Sequence, residues 1–153
     1  QYKLKAEQRV LELCPDSVHL RASWMYDLPG YGLPIRGNLP LNLLRAALKG
    51  EALRFSRNDH RGVTYVRQVI ENLEPAMALP GGVYNFGSGN AENMVCTARQ
   101  FAETLGIAVQ IEEESWGRNL VMDTTKLERF GIRFDTTHQG IQRCFKDYGL
   151  RTL

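Results

Sequence analysis

An α/β fold is what this chain predicts, and three observations predict it. Short runs rich in Val, Ile, Tyr and Phe alternate with longer stretches whose apolar residues recur at helical spacing. Gly, Pro, Asn and Thr punctuate the boundaries between them, at the positions where helices are capped and stopped. The 153 residues are 43% hydrophobic, enough to bury the core of one ordinary domain or most of one.

Taken in order, Tyr2, Ala6, Val10 and Leu13 mark a helical face, and Pro15-Asp16-Ser17 breaks the helix and turns the chain. Val18 to Ala22 follows as a strand. A Pro/Gly-rich loop from Asp27 to Gly37 leads to Asn38, which can cap a helix running to about Lys49 with Gly50 as its stop. Leu53 to Ser56 reads as a strand. Val66, Val69, Ile70 and Leu73 mark the next helical face, and Gly81-Gly82 opens the strand Val83 to Phe86. Val95, Ala98, Phe101 and Leu105 mark a further helix ended by Gly106. Strand-like segments at Ala108 to Ile111 and Leu120 to Met122 precede two closing helices. Thr125 with Glu128, and Thr136 with Gln139, have capping-box spacing, and Ile141, Cys144, Phe145 and Tyr148 form one apolar face. Such alternation predicts helices layered on a sheet. The apolar helical faces are expected in the core.

Charge and composition exclude several functions. The 19 basic and 17 acidic side chains leave a formal charge of +2 with no long block of one sign, so no nucleic-acid partner is expected. No apolar run is long enough to span a bilayer, and no membrane association is expected. Cys14, Cys96 and Cys144 are widely spaced and odd in number, which predicts reduced thiols and a cytoplasmic setting. His19, His60 and His138 lack metal-ligand spacing, so no metal is predicted. Glu112-Glu113-Glu114 reads as a solvated acidic turn, and Arg54, Arg57, His60 and Arg61 as a basic loop that could hold a diphosphate through charge-assisted hydrogen bonds. The run Gly87-Ser88-Gly89 after a strand mimics a dinucleotide fingerprint, but Glu92 stands where the third glycine belongs. An anion there would oppose a pyrophosphate, so a tight turn into a packed helix is the better expectation.

Several stretches together resemble one family. Lys3 and Glu7 match the last two members of the Tyr-x-x-x-Lys-x-x-x-Glu helix of extended short-chain dehydrogenases/reductases; the matching Tyr would precede Gln1. Other registers fail, because Tyr2 is followed four residues on by Ala6 and Lys5 is preceded four back by Gln1. Leu20-Arg21-Ala22-Ser23-Trp24-Met25-Tyr26 resembles the Leu-Arg-Thr-Ser-Trp-Val-Tyr run of dTDP-4-dehydrorhamnose reductases, with Ala22 for Thr. Gly62-Val63-Thr64-Tyr65-Val66 is similar to their Pro-Thr-Tyr-Val stretch, with Val63 for Pro and Gln68 for a later Asp. Gly82 to Gly89 is similar to their Gly-x-Tyr-x-x-x-Gly-x-Gly stretch. Arg118-Asn119-Leu120-Val121-Met122-Asp123-Thr124-Thr125-Lys126 is similar to their late segment ending in Asp-Thr-Ser-Lys, without its Pro.

The resemblance implies part of a Rossmann-type extended short-chain dehydrogenase/reductase that lacks the N-terminal nucleotide-binding half. Residues 1–26 would be the last catalytic helix and strand of the cofactor domain, and residues 27–153 the substrate-binding domain. The whole enzyme would reduce a 4-keto group on a nucleotide-linked deoxysugar with NADPH or NADH. No tight cofactor binding is expected of this piece. Lys3 would be the catalytic lysine that favours phenolate and binds the nicotinamide ribose. Ala22 and Ser23 would line the nicotinamide side, while Trp24, Arg61 and Arg118 would bind substrate. A non-catalytic regulatory subunit, or a sugar-nucleotide epimerase or dehydratase, are the alternatives within the superfamily. The strand Val18 to Ala22 would offer an unpaired edge, which predicts a two-fold homodimer that covers it or exchanges the first helix.

Overall fold

The structure, a computed structural model, describes residues 2–30 and 36–150. Most of the predicted Asp27 to Gly37 loop is described; positions 31–35 lie outside the described residues. The elements run α1 (Tyr2–Leu13), β1 (Val18–Ala22), β2 (Trp24–Tyr26), α2 (Leu39–Lys49), β3 (Leu53–Ser56), β4 (His60–Arg61) and β5 (Val63–Tyr65). They continue as α3 (Val66–Met77), β6 (Gly82–Phe86), α4 (Met94–Thr104), β7 (Ile111–Glu114), β8 (Asn119–Leu120), α5 (Thr125–Glu128) and α6 (Thr137–Asp147). The fold is mixed α/β, with every named strand in a parallel pair: β1 with β6, β2 with β5, β3 with β7 and β4 with β8.

Local chemistry explains the best-defined boundaries. Asn38 accepts the Leu41 N–H at 3.1 Å, and Pro40 sits in the first turn of α2, where its missing N–H costs nothing. Gly50 closes that helix at φ +67°, a left-handed conformation that suits glycine. Thr136 and Gln139 form a reciprocal capping box at the start of α6. The second predicted box, at Thr125, does not form. Asp123 instead accepts the Thr125 N–H at 2.9 Å, and these bonds from Thr125 hold the Asp123 carboxyl below its ordinary pKa.

One core packs Tyr26, Leu43, Val63, Met94, Phe101, Ile141 and Cys144, with the Tyr26 and Phe101 rings edge to face at 5.1 Å. Burial pushes the Cys144 thiol up to about 12, so it stays a neutral packing group. A smaller core under β6 joins Tyr84, Phe86, Leu127 and Ile132. The apolar face of α6 is buried as the sequence predicts.

Several expectations are corrected. The strand predicted at Ala108 to Ile111 lies at Ile111–Glu114, so the acidic triplet is a strand and not a turn. Its register against β3 places Glu112 and Glu114 within 3.0 and 3.7 Å of Arg54, and Arg99 neutralises Glu113 at 2.7 Å. Side chains alternate along a strand, so one arginine serves alternate glutamates and another serves the one between. Arg54 is therefore a strand residue with carboxylate partners. In α3 the predicted apolar face is only partly covered: Val66 and Val69 are half-buried, Val69 against the smaller core, whereas Ile70 and Leu73 are exposed and Gln68 and Ala76 are buried. Hydrogen bonds set that rotation, because Gln68 Oε1 accepts the Asp135 N–H at 2.7 Å and Asn72 donates to the Arg133 carbonyl at 3.0 Å. Helix α1 likewise buries no residue, and Tyr2, Val10 and Leu13 stand in solvent.

Gly62 lies so close to the next segment that a β-carbon there would overlap the Ser88 carbonyl oxygen. Gly62→Ala is expected to destabilise the fold by roughly 2–4 kcal/mol, because backbone must move to admit the methyl. Phe101→Ala, which hollows the main core, is expected to cost about 3–5 kcal/mol. Urea unfolding midpoints check both, and a wild-type midpoint for Gly62→Ala would refute the packing described.

Candidate functional site

Ligand clefts in parallel sheets form at the carboxyl ends of strands, where side chains leave the ladder and backbone groups become free. Here β1 and β6 end together, Ala22 opposite Phe86, and the chain then turns through Ser23 into β2. A cleft of about 480 Å³ opens at that end, lined by Arg21, Ser23, Trp24, Arg61, Asn85 and Met122. A second cleft of about 500 Å³ lies beside it, lined by Trp24, Asn38, Asn42, Arg54 and Phe55. Trp24, 51% exposed, belongs to both and divides them.

One face of Trp24 is taken. The Arg61 guanidinium stacks over the indole at 4.1 Å, and Asp59 holds it there, accepting from Nε at 3.0 Å and Nη2 at 2.7 Å. Asp59 is almost fully buried and its own N–H and carbonyl are engaged by Ser56 and Met94. The Arg61 fork is thus fixed in direction, with part of its donor set left for a ligand. Asp59 and Arg61, two apart on extended backbone, share a side of the chain, a pattern legible in the sequence but missed there.

The other cation of the first cleft is also paired. Arg21 makes a bidentate bond with Glu7 of α1, at 2.9 and 2.6 Å, the main tertiary tie of that helix. Hydrogen bonding to Arg21 lowers the Glu7 pKa, and the same bond raises that of Arg21. Lys3 lies one turn before Glu7, about 6 Å along the axis on the same face. It is exposed and has no partner among the described residues.

Ala22, Ser23, Trp24 and Arg61 are therefore brought to one cleft. Arg118 is not among its lining residues; its backbone carbonyl accepts the His60 N–H at 3.2 Å, just before Asn119 and Leu120 in the wall. Sequence reasoning missed Arg21, Asn85 and the hydroxyls behind Ser23. Asn85 Nδ2 bonds the Asp123 carbonyl at 2.9 Å, and Lys126 Nζ bonds the Val83 carbonyl at 2.9 Å while resting on the Tyr84 ring, so the late Asp-Thr-Thr-Lys segment is clamped onto β6 as a cleft wall.

A dinucleotide does not fit the Gly87-Ser88-Gly89 turn. Ser88 is fully buried against Gly62, and α4 begins only at Met94, where the Asp59 carbonyl accepts the Met94 N–H and the Asn93 side chain accepts the Cys96 N–H. Tyr26 and Tyr65 are core residues whose hydroxyl pKa values are raised by burial, so neither offers an accessible proton to the clefts. Among the described residues no group of three or more His, Cys, Asp and Glu could hold a metal ion, and no helix is long and apolar enough to cross a membrane.

No family model matches the chain, and no curated protein sequence matches it. Solved structures do. Over 95% of its length the chain has the fold of extended short-chain dehydrogenases/reductases, spanning about half the length of the proteins it matches. It is similar to dTDP-4-dehydrorhamnose reductase from Bacillus anthracis in complex with NADP, at 18% identity and TM-score 0.78, covering 95% of this chain and 52% of that one. It is also similar to ADP-L-glycero-D-manno-heptose-6-epimerase from Helicobacter pylori, at 20% identity and TM-score 0.67, over 96% of this chain and 49% of that one. A third similarity is to UDP-glucose 4-epimerase from Thermus thermophilus in complex with NAD, at 17% identity and TM-score 0.63, covering 92% and 50%.

Removing one member of a buried ion pair strands its partner, so Asp59→Asn is expected to cost about 3 kcal/mol. Released from its tether, Arg61 should leave the indole, and Trp24 emission in a Trp116→Phe background should shift. For Glu7 the sign follows from its lowered pKa: the pair stabilises at neutral pH, and that contribution is lost as pH falls through the carboxylate range. Glu7→Gln should abolish this part of the pH dependence, measured as the difference in urea midpoint between neutral and acidic pH.

Proposed function

We propose that this chain is the substrate-binding portion of an NAD(P)H-dependent sugar-nucleotide reductase acting on a 4-keto-deoxysugar, and that it is inactive alone. The observation that carries the reading is the pair of clefts divided by Trp24, one at the carboxyl ends of β1 and β6 and the other beside it. One is polar, lined by Arg21, Ser23, Arg61 and Asn85, and suits a sugar; the other offers Phe55 with Asn38 and Asn42 and suits a nucleobase. Trp24 would cover sugar C–H groups with its open face, and Arg61, aimed by Asp59, would contact the diphosphate. Arg118, next to the cleft wall, would reach a phosphate from the rim.

In the complete enzyme the cofactor supplies the hydride. Lys3 would hold the nicotinamide ribose and lower the pKa of a tyrosine, with Ala22 and Ser23 bordering the nicotinamide. Residues 1–26 would then belong to the cofactor domain and residues 27–153 to the substrate domain. Among the described residues β1 pairs on one edge only, with β6, and α1 buries no residue. Both features favour self-association as a two-fold dimer through that edge, or exchange of α1.

A binding or regulatory subunit of the same fold is the second reading. It is favoured by the carboxylate partners already on Arg21, Arg54 and Arg61, which leave less free charge for a diphosphate than a substrate clamp would use.

Calorimetric titration with dTDP-glucose and dTDP tests the main reading. Binding of both is expected, weakened tenfold or more by Trp24→Ala, roughly the loss of one stacking contact. No NADPH oxidation is expected with a 4-keto sugar nucleotide. Absence of nucleotide binding would refute the substrate role, and NADPH turnover would refute inactivity. Sedimentation at high concentration should show a dimer; a monomer would remove the edge-pairing argument.

A further inference from the structure

Behind the polar cleft the Ser23 hydroxyl continues into a buried hydroxyl, that of Thr64, which the proposed function does not use. Thr64 is fully buried on β5. Its Oγ1 accepts the Ser88 N–H at 2.8 Å and lies 2.6 Å from the Ser23 Oγ; Ser23 Oγ in turn reaches the Trp24 carbonyl at 3.3 Å. Gly87 leaves the space open, since a β-carbon there would come within 2.9 Å of Thr64 Oγ1 and overlap Ser23 Oγ. Three chain segments, the β1–β2 turn, β5 and the end of β6, thus meet at two hydroxyl oxygens.

Each hydroxyl has one proton, which decides the direction of the bond between them. Were Ser23 to donate to Thr64, the Thr64 proton would find no acceptor among the described residues, in a place without solvent. Leaving a buried donor unmade costs about 1–3 kcal/mol. With Thr64 donating to Ser23, and Ser23 donating to the Trp24 carbonyl, every proton is used. Ser23 Oγ is then left with a lone pair and no proton to give.

We propose that Thr64 is a positioning residue that sets the Ser23 hydroxyl as a hydrogen-bond acceptor in the cleft, so that the ligand group seated there is a donor, a hydroxyl or amide N–H. This rests on the ligand reading of the cleft given above. It also explains why a threonine stands at a position without access to solvent. A valine of the same shape would fill the space but leave the Ser88 N–H unpaired and the Ser23 side chain free to rotate.

Crystal structures of Thr64→Val and Thr64→Ser test the positioning whether or not any ligand binds. Ser23 is expected to keep its rotamer in Thr64→Ser and to leave it in Thr64→Val; an unmoved Ser23 in Thr64→Val overturns the proposal. Should Thr64→Val fail to fold, proton NMR of the wild-type chain decides. A Thr64 hydroxyl proton in contact with the Ser23 β-protons is expected, and a Thr64 hydroxyl proton that points away from Ser23, without that contact, overturns the proposal. For the ligand, Thr64→Val and Ser23→Ala are each expected to weaken dTDP-glucose about tenfold, the loss of one hydrogen bond, and to leave dTDP unchanged. The double variant should be no worse than either single one, and Thr64→Ser should bind as wild type. Equal weakening of dTDP and dTDP-glucose overturns the assignment, whereas a wild-type chain that binds neither refutes the proposed function and leaves the crystallographic test standing.

Discussion

Gly62 and Ser88 touch backbone to backbone, with no room between them for a side chain. That contact presses the β4–β5 segment onto the end of β6. Since β6 pairs with β1, and β5 pairs with β2, it also draws the turn from β1 to β2 into the same place. The polar cleft is the space left where these ends diverge. Thr64 stands two residues beyond Gly62, and its hydroxyl completes the junction by taking up the Ser88 N–H that the close approach would otherwise strand.

Charge in the cleft is organised by pairing. Arg21, Arg54 and Arg61 border the clefts, and each already has a carboxylate. The partners differ in burial, and burial decides what each pair does. Asp59 and Arg61 are shielded, so the pair is geometrically stiff and costly to break, and Arg61 is aimed at Trp24. Arg54 is solvated and contributes little to stability. Glu7 with Arg21 matters for another reason: α1 buries no residue, so this bond is the main tie between the helix that carries Lys3 and the strand that leads into the cleft.

Much of the fold was legible because local rules and tertiary structure agree. Asn38, Gly50 and the Thr136–Gln139 box stand where they were expected, since capping depends on a few neighbouring residues only. Apart from the capping box at Thr125, the failures have a common cause. Periodicity marks an apolar face without saying what covers it, so Ile70 and Leu73 were assigned to a core that Gln68 and Ala76 occupy instead. The strand at Ile111–Glu114 was misplaced because three consecutive glutamates read as solvent-loving, while the arginines that neutralise them lie far away in sequence.

By itself the sequence determined the alternation of elements, most of their caps, and a set of motifs that resembles those of the sugar-nucleotide reductases. Those follow from short-range chemistry, and from residue order. Only the tertiary structure decided which motif residues share a cleft, that one face of Trp24 is covered by Arg61, that Asp59 aims that arginine, and that the Thr64 and Ser23 hydroxyls meet at 2.6 Å. Each depends on groups distant along the chain meeting within hydrogen-bonding range, and parallel strand pairing over long connections creates such meetings without leaving a local trace.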